Sequence, residues 1–581
     1  MIRLKKLYSE PEIFNPILFE PGINFVLGEK SEGSNKTNGV GKSIFIEFLN
    51  FCLLKKTEHS RVSLIPNNAI DTDAKIKLDF NISKNNITVS RKIGTPDSVT
   101  IFKNGTEINF DKLDDASEFL GNLYFESFPA QTYRISFRNL LAPIIRDERS
   151  EFKDIIRCFD TDKRIPRDYK PHLFFLGLRI DLYSEIEKAI NELFKKTTYS
   201  SEIKKVLTNN GEIKPSDAKA RLNELESEVS KINASIEQLR NNESFEVVQN
   251  DTVALEIEQS KLRTKQKALK YEIKQINSLP QPENISETEI TLLFNQFKKG
   301  LGDMVEKSFE EVKQFRDKID SFRNTLVNSK LDKLKEELLK INEKTRKLDE
   351  EYSEKISLLD NGELLRDLKT SINVFNKKNQ ELNNLRALIE RHDKAEKEKK
   401  TLKASKDSKI NEFDGLIVNN ESKIKNFEQT ILEIHESIIG NRKAHFEIET
   451  INKAKAREFL FFDLRTDDDG SWSTERLKIF IYDIALLFNE NTRRNHPCFL
   501  IHDNIFNFDN DSIEKSLNFL YQQEQNRPEE FQYILTLNRD MVEIMEEKKL
   551  LKFNIEDYRR VTYTKDNRFL KQKYIEIKNK K

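Results

Sequence analysis

Cysteine is scarce in this chain, and what there is builds neither a disulfide framework nor a metal cage. Cys52, Cys158 and Cys498 lie far apart, each in an apolar setting, the pattern of small buried hydrophobes in a reducing compartment. There is no Cys-x-x-Cys, and the seven histidines form no ligand-spaced cluster, which argues against a zinc site. Glycine and proline are sparse too, at 16 and 14, which favours long helices over many small turn-rich modules. Neither sign of charge is in excess, because Lys plus Arg and Asp plus Glu number 98 each. That balance excludes a wholly basic polyanion-binding fold and leaves room only for a local basic face. No apolar run approaches membrane-spanning length, and Met-Ile-Arg-Leu-Lys-Lys6 returns to polar residues before an export signal could form. The expectation is a cytoplasmic protein with no membrane partner.

What is present is length and charge. At 581 residues, 34% charged and 37% apolar, the chain is too long for one core and divides into two to four units. Its most informative stretch is Asn24 to Lys56. Ile23 to Leu27 has the apolar, β-branched character of a buried strand, and Ile44 to Leu54 has the length and spacing of a helix. Between them lies Asn38-Gly-Val-Gly-Lys-Ser43. Gly39 and Gly41 let successive backbone N–H groups turn toward a phosphate, and the helix that follows adds the positive end of its dipole. Lys42 neutralises the β- and γ-phosphates in such a loop, and the Ser43 hydroxyl serves Mg²⁺. Asn38, Gly39, Val40, Gly41, Lys42, Ser43 and Ile44 are therefore the candidate ATP-binding residues. The strict pattern has a glycine five residues before Gly41, where this chain has Lys36. A lone Gly-Lys-Ser also occurs by chance in exposed loops; the strand before it and the helix after it distinguish this one.

Residues 2–27 hold two or three strand candidates, and 74–103 alternate as an antiparallel meander closed by the hairpin signal Lys103-Asn-Gly105. Helical patterns run from Lys112 to about Thr197, broken at Pro143 and Pro166. From Ser216 a heptad seam appears at Ala218, Leu222, Leu225, Val229, Ile232, Ile236 and Leu239, and resumes from Leu255 to Ile276. Further series run from Leu331 to Tyr352, from Leu368 to Ile389, and through Ile424, Phe427, Ile431, Ile434 and Ile438. A helix of about sixty residues spans on the order of 90 Å. Residues 201–455 thus read as a coiled-coil arm with its main reversal at 278–303 and further breaks near 360 and 404–416. Globular sequence returns at 456–581, to be joined with 1–200. It contains the strand Phe459–Leu464, the segment Gly470-Ser-Trp-Ser473 with Ser473 as a helix N-cap, the strand Cys498–Ile501 leading to Asp503-Asn504, and Tyr533–Leu537 ending at Asn538. An apolar strand ending in Asp is an ordinary boundary by itself. Paired with Lys42-Ser43 it becomes a second metal-binding oxygen, so Ser43 and Asp503 are the candidate Mg²⁺ ligands, and Lys42, Asp503 and Asn504 the candidate catalytic set.

These motifs and their separation resemble the SMC-like branch of the ABC ATPases, which includes the zinc-hook DNA-repair ATPases. The resemblance implies an α/β fold: a P-loop ATPase head assembled from the two ends of the chain, with a long antiparallel coiled coil inserted. Asn38–Ser43 is similar to that family's phosphate loop and Phe499–Asp503 to its Walker B strand. Gly470, Ser471 and Ser473 stand where its signature loop reaches across a dimer, which implies pairing with a second copy. More narrowly, the loop from Gly28, the segment Ser136–Leu141 and Ile501–Asn504 resemble the SMC-like subunits of bacterial ABC-three-component systems. The Lamassu type of these is antiviral. That likeness implies double-stranded DNA, an effector and accessory subunits as partners.

Departures are visible as well. Asn504 replaces the family's catalytic Glu and can orient a water but cannot take its proton, so slow hydrolysis is expected. Asn538 stands in place of a switch His, and His502 is expected to face the other side of its strand. Gln131, Arg138 and Arg146 are the candidates for the lid between lobes. Arg3, Lys5, Lys6, Lys55, Lys56, Arg91 and Lys92 are candidate DNA contacts, or else an ordinary solvated surface. The alternatives are an ATP-switched structural adaptor and a repair ATPase partnering a nuclease. A transport ATPase has no use for the arm.

Overall fold

The computed structural model describes residues 1–30, 39–126, 128, 135–158, 165–240, 249–277, 329–354, 363–453, 456–467, 470 and 472–576. It divides into two compact units, Met1–Thr197 with Glu398–Lys581, and Thr198–Lys397.

The first unit opens with β1 (Ile2–Glu10), β2 (Ile17–Leu18) and β3 (Gly22–Gly28). All of β3 is buried, as an uninterrupted apolar run with strands on both flanks should be. Helix α1 (Lys42–Cys52) follows, apolar almost all round and correspondingly buried on every side except at Ser43. Its one buried acid, Glu47, is fully engaged: it pairs with Lys55 at 2.6 Å and accepts from Ser60 Oγ and the Arg61 amide at 3.0 Å each. Burial opposes the Glu47 charge, but Lys55 and these donors outweigh it and hold the carboxyl below its ordinary pKa. The same bonds pin the short turn that carries Arg61.

The expected meander is β4 (Lys75–Ile82), β5 (Asn85–Lys92), β6 (Val99–Lys103) and β7 (Thr106–Phe110). Asn104 and Gly105, with φ of 51° and 87°, make its last hairpin turn. With β1 and β2 these strands form a six-stranded antiparallel sheet. Arg91 is not on its surface. It is buried, donates to the carbonyls of Phe51 (2.5 Å) and Pro96 (2.9 Å), and lies over the Phe51 ring.

The chain's two ends share a parallel sheet. After β8 (Ile145–Arg146) come the antiparallel pair β9 (Ala444–Thr450) and β10 (Leu460–Thr466), then β11 (Phe499–Asp503), β12 (Gln532–Asn538) and β13 (Arg559–Tyr563). The order is β13-β3-β12-β11-β8, so strands of the N-terminal half are interleaved among strands from beyond residue 498. Gly28 lies opposite Asn538, and Asp503 opposite Thr536. Parallel strands end on one edge, so the motifs are collected there.

The expected arm ends earlier than 455. Ile410, Phe413, Ile424, Phe427, Ile431, Ile434 and Ile438 are buried in the first unit's core, where the helix Glu421–Ile439 packs against the helices Trp472–Phe488 and Asn510–Asn526. Apolar residues at a heptad spacing suit a globular core as well as a coiled-coil seam. The strand β9 also falls within the stretch read as arm.

In the second unit, the helix Pro215–Arg240 runs antiparallel to the part of the helix Glu363–Asn419 that precedes Glu398, with Lys219 on Asp393 (2.7 Å) and Arg386 on Glu226 (2.7 Å). Gln249–Asn277 is antiparallel to the helix over 329–354, with Arg263 on Asp349 (3.0 Å) and Lys330 on Glu272 (3.3 Å). Lys267 donates to Gln380 at 3.1 Å, and Glu256 feels the charge of Lys369, so Gln249–Asn277 lies parallel to the last helix. The four helices therefore alternate in direction, and the chain also turns back between the first two. Instead of a single stroke of sixty residues, each of the first two helices is about 40 Å long. The reversal at 278–303 and the break near 360 lie outside the described residues, between helices of opposite direction. No break occurs at 404–416, because Glu363–Asn419 is one continuous helix.

Candidate functional site

The phosphate loop is described from Gly39; Asn38 lies outside the described residues. Gly39 and Gly41 take φ of 79° and 111°, conformations that cost glycine little. A Cβ on Gly41 would meet the Cβ of Phe569 at 2.6 Å, so glycine is required on steric grounds too. The loop thereby delivers the N-terminus of α1 to a cavity of about 440 Å³, within the range of small-ligand sites. Gly39, Val40, Gly41, Lys42, Ser43 and Ile44 line it together with Asn504.

Lys42 is buried and donates to the side-chain carbonyl of Asn538. A Cβ on Gly28 would lie 2.4 Å from its Nζ, so the cation folds onto the adjoining ends of β3 and β12. Burial lowers its pKa, against the pull of Asp503, Asp540 and Glu148. A buried ammonium hydrogen-bonded to a neutral amide gains strongly from an arriving anion.

Asp503 is buried at the end of β11. Its Oδ1 accepts from Thr536 Oγ1 at 2.7 Å, whereas its Oδ2 has no hydrogen-bond partner among the described residues. Burial raises its pKa; the Ser43 and Thr536 hydroxyls and Lys42 work the other way, and Glu148 adds to the rise. An orphaned carboxylate oxygen with a hydroxyl facing the same carboxyl is a donor set suited to a hard cation, so the residues present fit Mg²⁺. Asn504 follows with φ of 57°. Its amide donates to Thr536 Oγ1 (2.9 Å) and its carbonyl accepts from Arg476 (2.8 Å), which turns its side chain toward the cavity lined by the phosphate loop.

The other expected residues divide. His502 faces away from the phosphate loop, bonded to Tyr533 (2.9 Å) and Asp483 (3.1 Å), and Asp483 also pairs with Arg146 at 2.5 Å. Arg146 is therefore part of a buried network and not a lid. Arg138 likewise donates to the Leu53 carbonyl at 2.8 Å and lines a different cavity, while Gln131 lies outside the described residues. Ser473 lies inside the first turn of the helix Trp472–Phe488 and is not its N-cap; Ser471, at the cap position, lies outside the described residues. Gly470 and Ser473 do not line the phosphate cavity of their own chain; Ser473 faces a separate one with Thr466, Asp467, Phe508 and Asp509.

Three contributors to the cavity escape sequence reasoning. Arg61 reaches it from the turn pinned by Glu47 and pairs with Glu576 (2.8 and 2.5 Å). The segment Arg568–Glu576 forms its far wall, with Arg568 donating to the Gly39 carbonyl (2.5 Å) and the Phe569 amide to the Val40 carbonyl (3.2 Å). Glu148, just past β8, is the third. None carries a motif; only the tertiary fold brings them in.

Residues 8–244 match the AAA domain family. Residues 434–574 match a family described as an uncharacterised protein conserved in bacteria (DUF2326). The first match spans the phosphate loop and the second spans Asp503, so each half of the site falls within a recognised family. The uncharacterised protein YydD of Bacillus subtilis (strain 168) is 27% identical over 384 residues, 64% of this chain; the chain spans about 64% of that relative's length. Among solved structures, the Smc head domain with a coiled coil and joint derived from Pyrococcus yayanosii aligns over 94% of this chain and 100% of its own. At 12% identity and a TM-score of 0.35, that likeness is too slight to bear on function. No helix among the described residues is long and apolar enough to cross a membrane.

Proposed function

We propose that the chain binds Mg²⁺-ATP at the cavity between Gly39–Ser43 and Asp503 and hydrolyses it slowly, as a nucleotide-gated switch. One observation carries this reading: Asp503, buried with an oxygen unpartnered, stands beside Ser43 and within the field of Lys42. A carboxylate buried at such cost belongs to a site completed by a cation. Bound there, Mg²⁺ would draw charge from the β- and γ-phosphate oxygens. The glycine backbone and the start of α1 hold the phosphates, and Lys42 moves from Asn538 onto them. Asn504 orients the attacking water but leaves its proton in place, which keeps turnover slow.

By the likeness drawn from the motifs, Gly470 and Ser473 act on the nucleotide of a second copy, so ATP closes a pair of heads. The same likeness supports DNA engagement and service in an anti-phage defence complex with an effector and accessory subunits. An adaptor that pairs on ATP without engaging DNA is the competing reading. It gains from the fact that Arg3, Lys55, Lys56 and Lys92 already pair with Glu529, Glu47, Asp114 and Asp73. Light scattering of the purified chain with and without Mg²⁺-ATP, and ATP turnover with and without duplex DNA, test both. Absence of ATP binding overturns the proposal, and turnover indifferent to DNA favours the adaptor.

A further inference from the structure

The residue after the metal-facing carboxylate is an amide, and the turn that follows the neighbouring strand brings an acid to the same cavity. β8 pairs in parallel with β11, Ile145 opposite Ile501 and Arg146 opposite His502. That pairing ends at Arg146 and His502, so Asp147 and Glu148 leave β8 at the same edge of the sheet where β11 ends in Asp503 and gives way to Asn504. β8 is only two residues long, and the chain then enters a short 3-10 turn, Glu148–Ser150, that holds Glu148 at the end of the sheet.

Glu148 lines the phosphate cavity with Gly39–Ile44 and Asn504. It also lines an adjoining one of about 260 Å³ with Ser43, Arg61 and Asp503. Its charge acts on Lys42, on Asp503 and on Arg476, the residue that binds the Asn504 carbonyl. Of the other acids nearby, Glu47 pairs with Lys55, Glu576 with Arg61 and Asp540 with Lys30, while Asp147 meets Lys55 at 3.5 Å through Oδ2 and its Oδ1 has no hydrogen-bond partner among the described residues.

We infer that Glu148 is the general base of the hydrolysis, displaced by one strand from the position held by Asn504. The inference rests on the nucleotide reading above. In the step, the water oxygen bonds to the γ-phosphorus as its proton passes to a Glu148 carboxylate oxygen. The bond from the γ-phosphorus to the β–γ bridging oxygen breaks, and its electron pair leaves on ADP. The proton is then released to phosphate or solvent. Asn504 orients the water while Glu148 takes its proton, two roles usually joined in a single side chain. Glu148 is exposed at the cavity mouth, so it is loosely held, which fits slow turnover.

The test uses the full chain with Mg²⁺-ATP and the variants Glu148→Gln and Lys42→Ala. Binding is read as thermal stabilisation by Mg²⁺-ATP, and chemistry as the ratio of ATP to ADP recovered from the protein after a single turnover. Glu148→Gln should keep the native stabilisation and retain ATP, with hydrolysis slowed on the order of 100-fold. Hydrolysis at the native rate in Glu148→Gln overturns the assignment. So does loss of stabilisation matching that of Lys42→Ala, because Glu148 would then hold nucleotide or metal and not a proton. If the native chain itself gains no stability from Mg²⁺-ATP, the nucleotide reading falls and takes this assignment with it.

Discussion

Lys42 gives its hydrogen bond to Asn538, across 496 residues of sequence, and so ties the first turn of α1 to the end of β12. The amide neutralises nothing. It steadies a buried cation that burial makes costly, and on the nucleotide reading proposed above it would yield to a phosphate.

Removing either partner should separate those roles. Lys42→Ala should weaken ATP binding at least about 30-fold, the scale of losing a buried charge contact to a ligand, with little loss of stability. Asn538→Ala should lower the thermal midpoint of the nucleotide-free protein, because Lys42 stays buried without this acceptor, and that deficit should shrink on adding Mg²⁺-ATP. Titration of a fluorescent ATP analogue and thermal melts read both.

Asp503 carries a pKa raised by burial. A raised carboxyl binds its proton more tightly in the folded chain than in the unfolded one, so ionising it costs stability as pH rises through the folded pKa. Asp503→Asn should therefore melt higher than the native chain at pH 7 without ligand and lose the added stability from Mg²⁺-ATP. A variant that melts lower without ligand would remove the case for a cation-completed site.

Asp147 offers a pH window. Burial pushes its carboxyl up to about 6 against the attraction of Lys55, with Glu47 and Asp503 adding to the rise. The unfolded group titrates near ~4, so the native chain should lose stability between there and about pH 6, where Asp147 ionises. Asp147→Asn should match the native midpoint at acid pH and exceed it at neutral pH. Melts across that range, with Glu47 unchanged, decide it.

Gly41 and Phe569 should behave as a coupled pair. Gly41→Ala incurs a left-handed penalty of about 1–2 kcal/mol and a clash with the Phe569 Cβ at 2.6 Å. It should lower both the midpoint and the affinity for ATP. Adding Phe569→Gly, which removes the clashing atom, should cost less on the Gly41→Ala background than on the native one, and a double-mutant cycle measures the difference.

Much of the head was legible from local pattern. The mostly apolar β3 and the apolar start of β11, the alternating meander and its Asn-Gly turn all formed where their residues say, and the helix expected from Ile44 begins two residues earlier, at Lys42. Side-chain alternation on β11 likewise put His502 and Asp503 on opposite faces. Heptads misled. The Ile424–Ile438 series packs into the first unit's core, and the seams from 216 to 389 fall on four helices, of which only Glu363–Asn419 approaches sixty residues, because an apolar stripe does not name its partner. Arg91, a basic residue in a solvated-looking strand, turned inward because backbone carbonyls of Phe51 and Pro96 were there to receive it.

Sequence by itself determined the chemistry available: a glycine-bent loop, Lys42, Ser43, a buried Asp503 and an amide where an acid was expected. Tertiary structure alone decided which groups share the cavity. Setting β8 beside β11 brought Glu148 into the cavity that Asn504 lines, and the turn held by Glu47 brought Arg61 to Glu576. Neighbours along a chain are set by covalent bonds and local propensity. Neighbours across parallel strands depend on strand order and register, which arise only when the whole core packs at once.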